Sequence, residues 1–172
     1  MSVVAIRTLL SADIQAIAAA FAEIGWNKPA SQYESYLSEQ EAGLRVVLIA
    51  LLDDIFAGYI TILWQSHYGP FREAELPEIA DFNVLPHFRQ RGIGTSLMDA
   101  AEDRIAAVSG RVGIGVGLTL DYGTAQRMYV RRGYVPDGRG LMHAGLPVLY
   151  GNTLCVDDDL CLYFTKELSA EI

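Results

Sequence analysis

The stretch from Glu78 to Gly110 constrains this chain more than any other, because it reads as a strand, a glycine-rich turn and a helix in immediate succession. Pro77 to Val84 form the strand, with Ile79 and Val84 as its apolar anchors, and Pro86 stops it by removing a backbone donor. From Gly92 onward Ile93, Leu97, Ala100, Ala101, Ile105 and Val108 recur every three or four positions until Gly110, the spacing of one helix face. The turn is Arg89-Gln90-Arg91-Gly92-Ile93-Gly94-Thr95. Such a turn gathers unpaired N–H groups and the positive end of the helix around one point, which suits a phosphate or diphosphate. Gly92 and Gly94 have no Cβ to hold a ligand away, and Arg89 and Arg91 offset its charge. The turn matches neither the dinucleotide fingerprint nor the P-loop, whose Gly-Lys-Ser/Thr ending is absent.

The flanking sequence supplies a mixed α/β pattern. Val3 to Arg7 favours a strand, Ser11-Ala12-Asp13 offers an N-cap, and Ile14, Ile17, Ala18 and Phe21 mark a helix that Gly25 ends. Trp26 to Pro29 reads as a loop, and Tyr33, Tyr36 and Leu37 mark a second helix closing before Gly43. Arg45 to Leu51 and Gly58 to Trp64 read as a hairpin turning at Asp53-Asp54, followed by a loop from Gln65 to Glu75. Val112 to Leu118 alternates apolar residues with glycine, so its second face is expected to meet another backbone, a ligand or packed side chains closely. A helix from Tyr122 to Arg132 ends at Gly133, strands start at Tyr134-Val135 and at Leu160, and a Gly-rich excursion covers Pro136 to Asp159. No repeat or linker interrupts residues 1–172, which are expected to form one domain.

The net charge of −8 repels phosphate polymers, and no basic stripe opposes it, so nucleic acid is not an expected partner. The same charge would attract a cationic amine, although excess acid also serves solubility. No apolar run reaches the roughly 18–20 residues of a membrane span, and the first residues lack a basic n-region, which points to the cytoplasm. Cys155 and Cys161 have neither zinc-site nor disulfide-framework spacing, and His67, His87 and His143 are scattered, so no metal is expected.

Val84-Leu85-Pro86-His87-Phe88-Arg89-Gln90-Arg91-Gly92-Ile93-Gly94-Thr95 resembles motif A of the GNAT acetyltransferase superfamily, Arg/Gln-x-x-Gly-x-Gly/Ala after a Val-x-Pro-like turn. Ala125-Gln126-Arg127-Met128-Tyr129-Val130-Arg131-Arg132-Gly133-Tyr134 is similar to its motif B, Ala-x-x-(Leu/Phe)-Tyr-x-x-x-Gly-Phe. The resemblance implies a GNAT-type fold, with a central, mainly antiparallel twisted sheet, splayed middle strands and flanking helices. It implies acetyl-CoA as cosubstrate, with Arg89, Gln90, Arg91, Gly92, Ile93, Gly94 and Thr95 around the diphosphate. Backbone atoms of Phe82, Asn83 and Val84 would pair with the pantetheine amides, as an added half-strand. Motif B would add cofactor contacts at Ala125 and at Tyr122, a place where the family usually has Asn.

By the same resemblance Tyr129 stands where a tyrosine protonates the departing sulfur, and Glu78 where a glutamate serves as base toward the amine. Asp81 competes for that role. Period-2 alternation places Glu78 on the face of Ala80, Phe82 and Val84, and Asp81 on the opposite face with Ile79 and Asn83. Trp26 and Tyr33 are candidate walls of the acceptor site, with core packing as the competing role. The activity implied is N-acetylation of a small-molecule or protein amine. A longer acyl donor, or a non-catalytic acetyl-CoA-binding module, are the other readings. The 136–159 excursion would border the acceptor or form a homodimer contact.

Overall fold

The computed structural model describes residues 4–168, which group into two compact units: residues up to 64 with 79–104, and 65–78 with 105 onward. The architecture is mixed α/β, an open and mostly antiparallel sheet of many strands flanked by helices.

In the first unit the strands run in the order β1 (Val4–Thr8), β2 (Arg45–Leu52), β3 (Ile55–Leu63) and β4 (Glu78–Val84). The β2–β3 hairpin turns on Asp53 and Asp54, both at positive φ (49° and 65°), the backbone a two-residue turn needs to match the strands' twist. Helix α1 (Ile14–Glu23) buries Ile14, Ile17 and Phe21, the i, i+3, i+7 stripe of a helix lying on a core. A single 3-10 turn, Ser11–Asp13, precedes it, and Asp13 rather than Ser11 caps the entry, accepting the Leu10 N–H at 2.8 Å and a two-pronged contact from Arg7 at 2.7 Å. Helix α2 (Ala30–Glu41) contributes Tyr33 to the core, where Phe21, Val47, Ile49, Phe56, Tyr59 and Leu85 also meet. Helix α4 (Ile93–Ala106) follows the glycine-rich turn and buries Ile93, Leu97, Met98, Ala101 and Ile105.

In the second unit β5 (Arg111–Gly117) pairs antiparallel with β9 (Leu160–Glu167), which also pairs with β6 (Val135–Pro136) and β7 (Met142–His143). Strands β7 and β8 (Leu146–Pro147) form a small hairpin, so the 136–159 excursion has a folded centre. The 65–75 segment, read from sequence as loop, contains helix α3 (Gly69–Glu73), with Pro70 in its first turn where no donor is needed. Phe71 from that helix stacks edge-on against Tyr68 and Tyr163, and the rings of Tyr68 and Tyr163 lie parallel at 3.6 Å. The glycines of β5 answer to these rings: a Cβ at Gly113 would run into Phe71, and one at Gly117 into Tyr122. Aromatic packing therefore explains their lack of side chains. Helix α5 (Gly123–Arg131) carries Tyr129 inward. Cys161 is buried and Cys155 exposed, both as free thiols. Among the described residues no helix is long and apolar enough to cross a membrane.

Candidate functional site

The glycine-rich turn has the backbone its sequence requires. After the 3-10 turn Pro86–Phe88, Gln90 takes φ 60° and Gly92 φ 78°, two left-handed residues in three. For Gly92 this costs nothing, whereas a Gln there is strained, and strain of this kind is kept where surrounding structure fixes it. The first helical hydrogen bond runs from the Ser96 N–H to the Gly92 carbonyl at 2.9 Å, so the N–H groups of Ile93, Gly94 and Thr95 precede the ladder. The Ile93 side chain is buried and anchors the turn, while Arg89, Gln90, Arg91, Gly92 and Thr95 are exposed. No carboxylate lies within residues 89–95. Two arginines and the N–H groups that precede the helical ladder thus belong to one exposed turn that carries no acid, a composition that fits a diphosphate.

Arg89 is already engaged. Its Nε–H donates to the Val84 carbonyl at 3.1 Å and its guanidinium lies over the Trp26 indole at 5.9 Å. Arg91 lies over the Phe88 ring at 5.7 Å. Trp26 is half-buried and stacks on Phe21 at 5.8 Å, and it lines a shallow groove of ≈ 360 Å³ with Ala18, Ala19 and Ala22 of α1 and Lys28 and Pro29 of the following loop. Tyr33, by contrast, is wholly enclosed among Phe21, Tyr36 and Tyr59, and its hydroxyl lies near that of Tyr59 outside hydrogen-bond geometry. The structure places Trp26 on an accessible wall and Tyr33 in the core.

Strand β4 departs from simple alternation at Asp81, which adopts φ 45° in the strand interior. Its carboxylate meets five donors: Lys28 Nζ (2.9 Å) and Asn83 Nδ2 (2.8 Å) on Oδ1, and Gln32 Nε2 (2.9 Å), the Tyr36 hydroxyl (2.8 Å) and the Tyr59 hydroxyl (2.6 Å) on Oδ2. A carboxylate offers about four lone-pair sites, so this acceptor capacity is spent. Burial alone would raise the Asp81 pKa, but the Lys28 charge and these hydrogen bonds outweigh it and hold the carboxyl below its usual range. Lys28 in turn donates to the Tyr59 hydroxyl at 2.9 Å and sits 5.5 Å from that ring's centre. Lys28, Gln32, Tyr36 and Tyr59 did not stand out in the sequence. One signal was available: Lys28 is the only basic residue between Arg7 and Arg45.

Phe82, Asn83 and Val84 are half-buried, and the Asn83 side chain turns toward Asp81 and the Tyr59 hydroxyl. Glu78, at the start of β4, is half-buried and accepts a short hydrogen bond from the Ser66 hydroxyl, whose oxygen receives the Tyr68 N–H at 2.9 Å. Tyr129 is 5% exposed, with its ring 5.8 Å from that of Tyr134, and burial, aided by Tyr122, pushes its phenol pKa upward. Ala125 is half-buried on the same helix, and Tyr122 precedes it, its ring closing over Gly117. Among the described residues no group of three or more His, Cys, Asp or Glu side chains is arranged to hold a metal ion.

The same architecture recurs in solved structures. An acetyltransferase of the GNAT family from Streptococcus pneumoniae is 15% identical, with a TM-score of 0.70 over 97% of this chain and 100% of that one. The ribosomal-protein-alanine N-acetyltransferase of Brucella melitensis is 18% identical, with a TM-score of 0.68 over 95% and 99%. The yncA protein of Salmonella typhimurium, solved with its cofactor acetyl-CoA, is 17% identical, with a TM-score of 0.67 over 96% and 94%. No curated protein matches the chain. The sequence model of the acetyltransferase (GNAT) family matches residues 11–134, which contain both the glycine-rich turn and the Tyr129 helix, and the chain belongs to that family.

Proposed function

We propose that the chain is an acetyl-CoA-dependent N-acetyltransferase that acts on a primary amine by direct attack. The observation that carries this reading is the Arg89–Thr95 turn, which brings two exposed arginines next to the leading N–H groups of α4 in an otherwise acidic protein. Membership of the family and the acetyl-CoA in the Salmonella relative support the same donor. Bound there, acetyl-CoA supplies an activated acyl thioester.

The chain's own residues hold the donor and move protons. The turn receives the diphosphate, and the backbone of Phe82, Asn83 and Val84 is offered to the pantetheine amides. Glu78 takes the proton that the acceptor ammonium must lose before its nitrogen can attack. Asp81 is poorly suited to that task, because its oxygens are already saturated and its pKa is held low. As the C–N bond forms and the C–S bond breaks, Tyr129 gives its phenolic proton to the departing sulfur. Its raised pKa keeps that proton in place at neutral pH.

Free-thiol release measured across a panel of small amines and peptide N-termini tests this reading. Peptides belong in the panel because the Brucella relative is an acetyltransferase of ribosomal-protein alanine. Gly92→Asp is the control: it puts a Cβ and a carboxylate where the diphosphate would lie, at φ 78°. Acetyl-CoA is expected to raise the Tm of the native chain and to leave that of folded Gly92→Asp unchanged. An equal Tm rise in both would move the donor site elsewhere, and binding with no thiol released from any amine would favour a non-catalytic module.

A further inference from the structure

Tyr68 is clamped on three sides. Its ring lies parallel to Tyr163 at 3.6 Å and edge-on to Phe71 at 4.9 Å, and its hydroxyl donates to Asp137 Oδ2 at 3.0 Å. A residue held this way presents a fixed backbone N–H, and that N–H donates to Ser66 Oγ at 2.9 Å. Ser66, between β3 and α3, is itself only 1% exposed. A hydroxyl has one proton to give, and with Tyr68 on one of its lone pairs that proton goes to Glu78 Oε2.

We infer that Ser66 is a positioning residue for acetyl transfer: it fixes the Glu78 carboxylate in place and favours its charged form, the form a base needs. The inference rests on the role of Glu78 proposed above. A hydrogen bond given to a carboxylate stabilises the ion over the neutral acid, which sets the sign of the effect. Cys161 and Tyr163 of β9 feel the Glu78 charge. Burial first, with that charge as a smaller cause, pushes the thiol and the phenol upward, so both stay neutral while a carboxyl titrates. Asp137 and Asp159, which act on the same thiol, the exposed His67 and the donor-saturated Asp81 are common to the native protein and any Ser66 variant. A difference between the two therefore belongs to Ser66.

Ser66→Ala removes the hydroxyl, and Ser66→Thr restores it. With the amine that releases thiol fastest in the panel, Ser66→Ala is expected to lower kcat about ten-fold at neutral pH, while calorimetry finds CoA affinity within a few-fold. The acidic limb of its kcat/KM profile should move up by about one pH unit, and Ser66→Thr should return both values toward native. The carboxyl-carbon NMR signal of Glu78, assigned by its loss in Glu78→Gln protein, should show the same rise with no acceptor present. Ser66→Cys, which keeps the atom count with a weak donor, should shift that titration in the same direction. In a Glu78→Gln background, Ser66→Ala should add little to the loss already made. An unmoved Glu78 titration in folded Ser66→Ala and Ser66→Cys proteins, or losses that multiply in the double variant, would overturn the positioning role and leave Glu78 as base. If Glu78→Gln protein turns over as fast as the native one, or no amine releases thiol, the base falls and the role of Ser66 falls with it.

Discussion

Tyr129→Phe is expected to lower acetyl transfer by roughly 10–10³, the usual range for loss of a general acid, while leaving CoA affinity within a few-fold. The substitution removes one oxygen and keeps the ring that packs 5.8 Å from Tyr134, so the helix and its neighbours should be undisturbed. Burial raises the phenol's pKa, which means that the native enzyme keeps this proton through the neutral and mildly alkaline range. A fall in rate on the alkaline side should therefore not be assigned to Tyr129. Steady-state thiol release, paired with calorimetry on CoA, separates turnover from binding. Equal turnover in the two proteins would mean that water or another side chain protonates the sulfur.

The second large effect concerns stability. Asp81→Asn preserves shape but removes the charge that Lys28 faces and sets an amide N–H₂ among donors that need an acceptor. Breaking a partly buried pair in this way costs about 3 kcal/mol, equivalent to a Tm lower by roughly 6–12 °C for a chain of this size. Lys28→Met should cost less, because Asp81 keeps four neutral donors. The pH dependence has a definite sign. The folded-state pKa of Asp81 lies below its unfolded value, so its contribution is complete above the unfolded pKa, near ~3.9, and is lost as pH falls through the folded one. Urea titrations from pH 7 to pH 2 should show the gap between native and Asp81→Asn proteins full at neutrality and closing in acid. A gap that is absent at pH 7, or that widens in acid, would remove Asp81 as the centre of this cluster.

What could be read in advance was local in sequence. The Arg89–Thr95 turn, the Asp53-Asp54 hairpin and the stripes of α1 and α4 each need only a few neighbouring residues to declare themselves. The rest depended on contacts far along the chain. Asp81 draws its donors from positions 28, 32, 36 and 59 as well as from Asn83, and its left-handed backbone breaks an alternation that the residue types alone support. The alternating glycines of β5 were legible as a demand for space, but the rings that fill it come from Phe71 and Tyr122. Helix α3 was missed because five residues give no periodicity, and Gly69-Pro70 signals a turn as readily as a helix start.

The two free thiols bear on how turnover can be followed. Cys155 is exposed, whereas Cys161 is buried and burial pushes its thiol pKa up, so only the first is open to a disulfide dye at neutral pH. A colorimetric trace of sulfur release should begin with a fixed burst of about one equivalent per chain, independent of amine and donor. Subtracting it, or working with Cys155→Ser, lets slow acceptors be told from none.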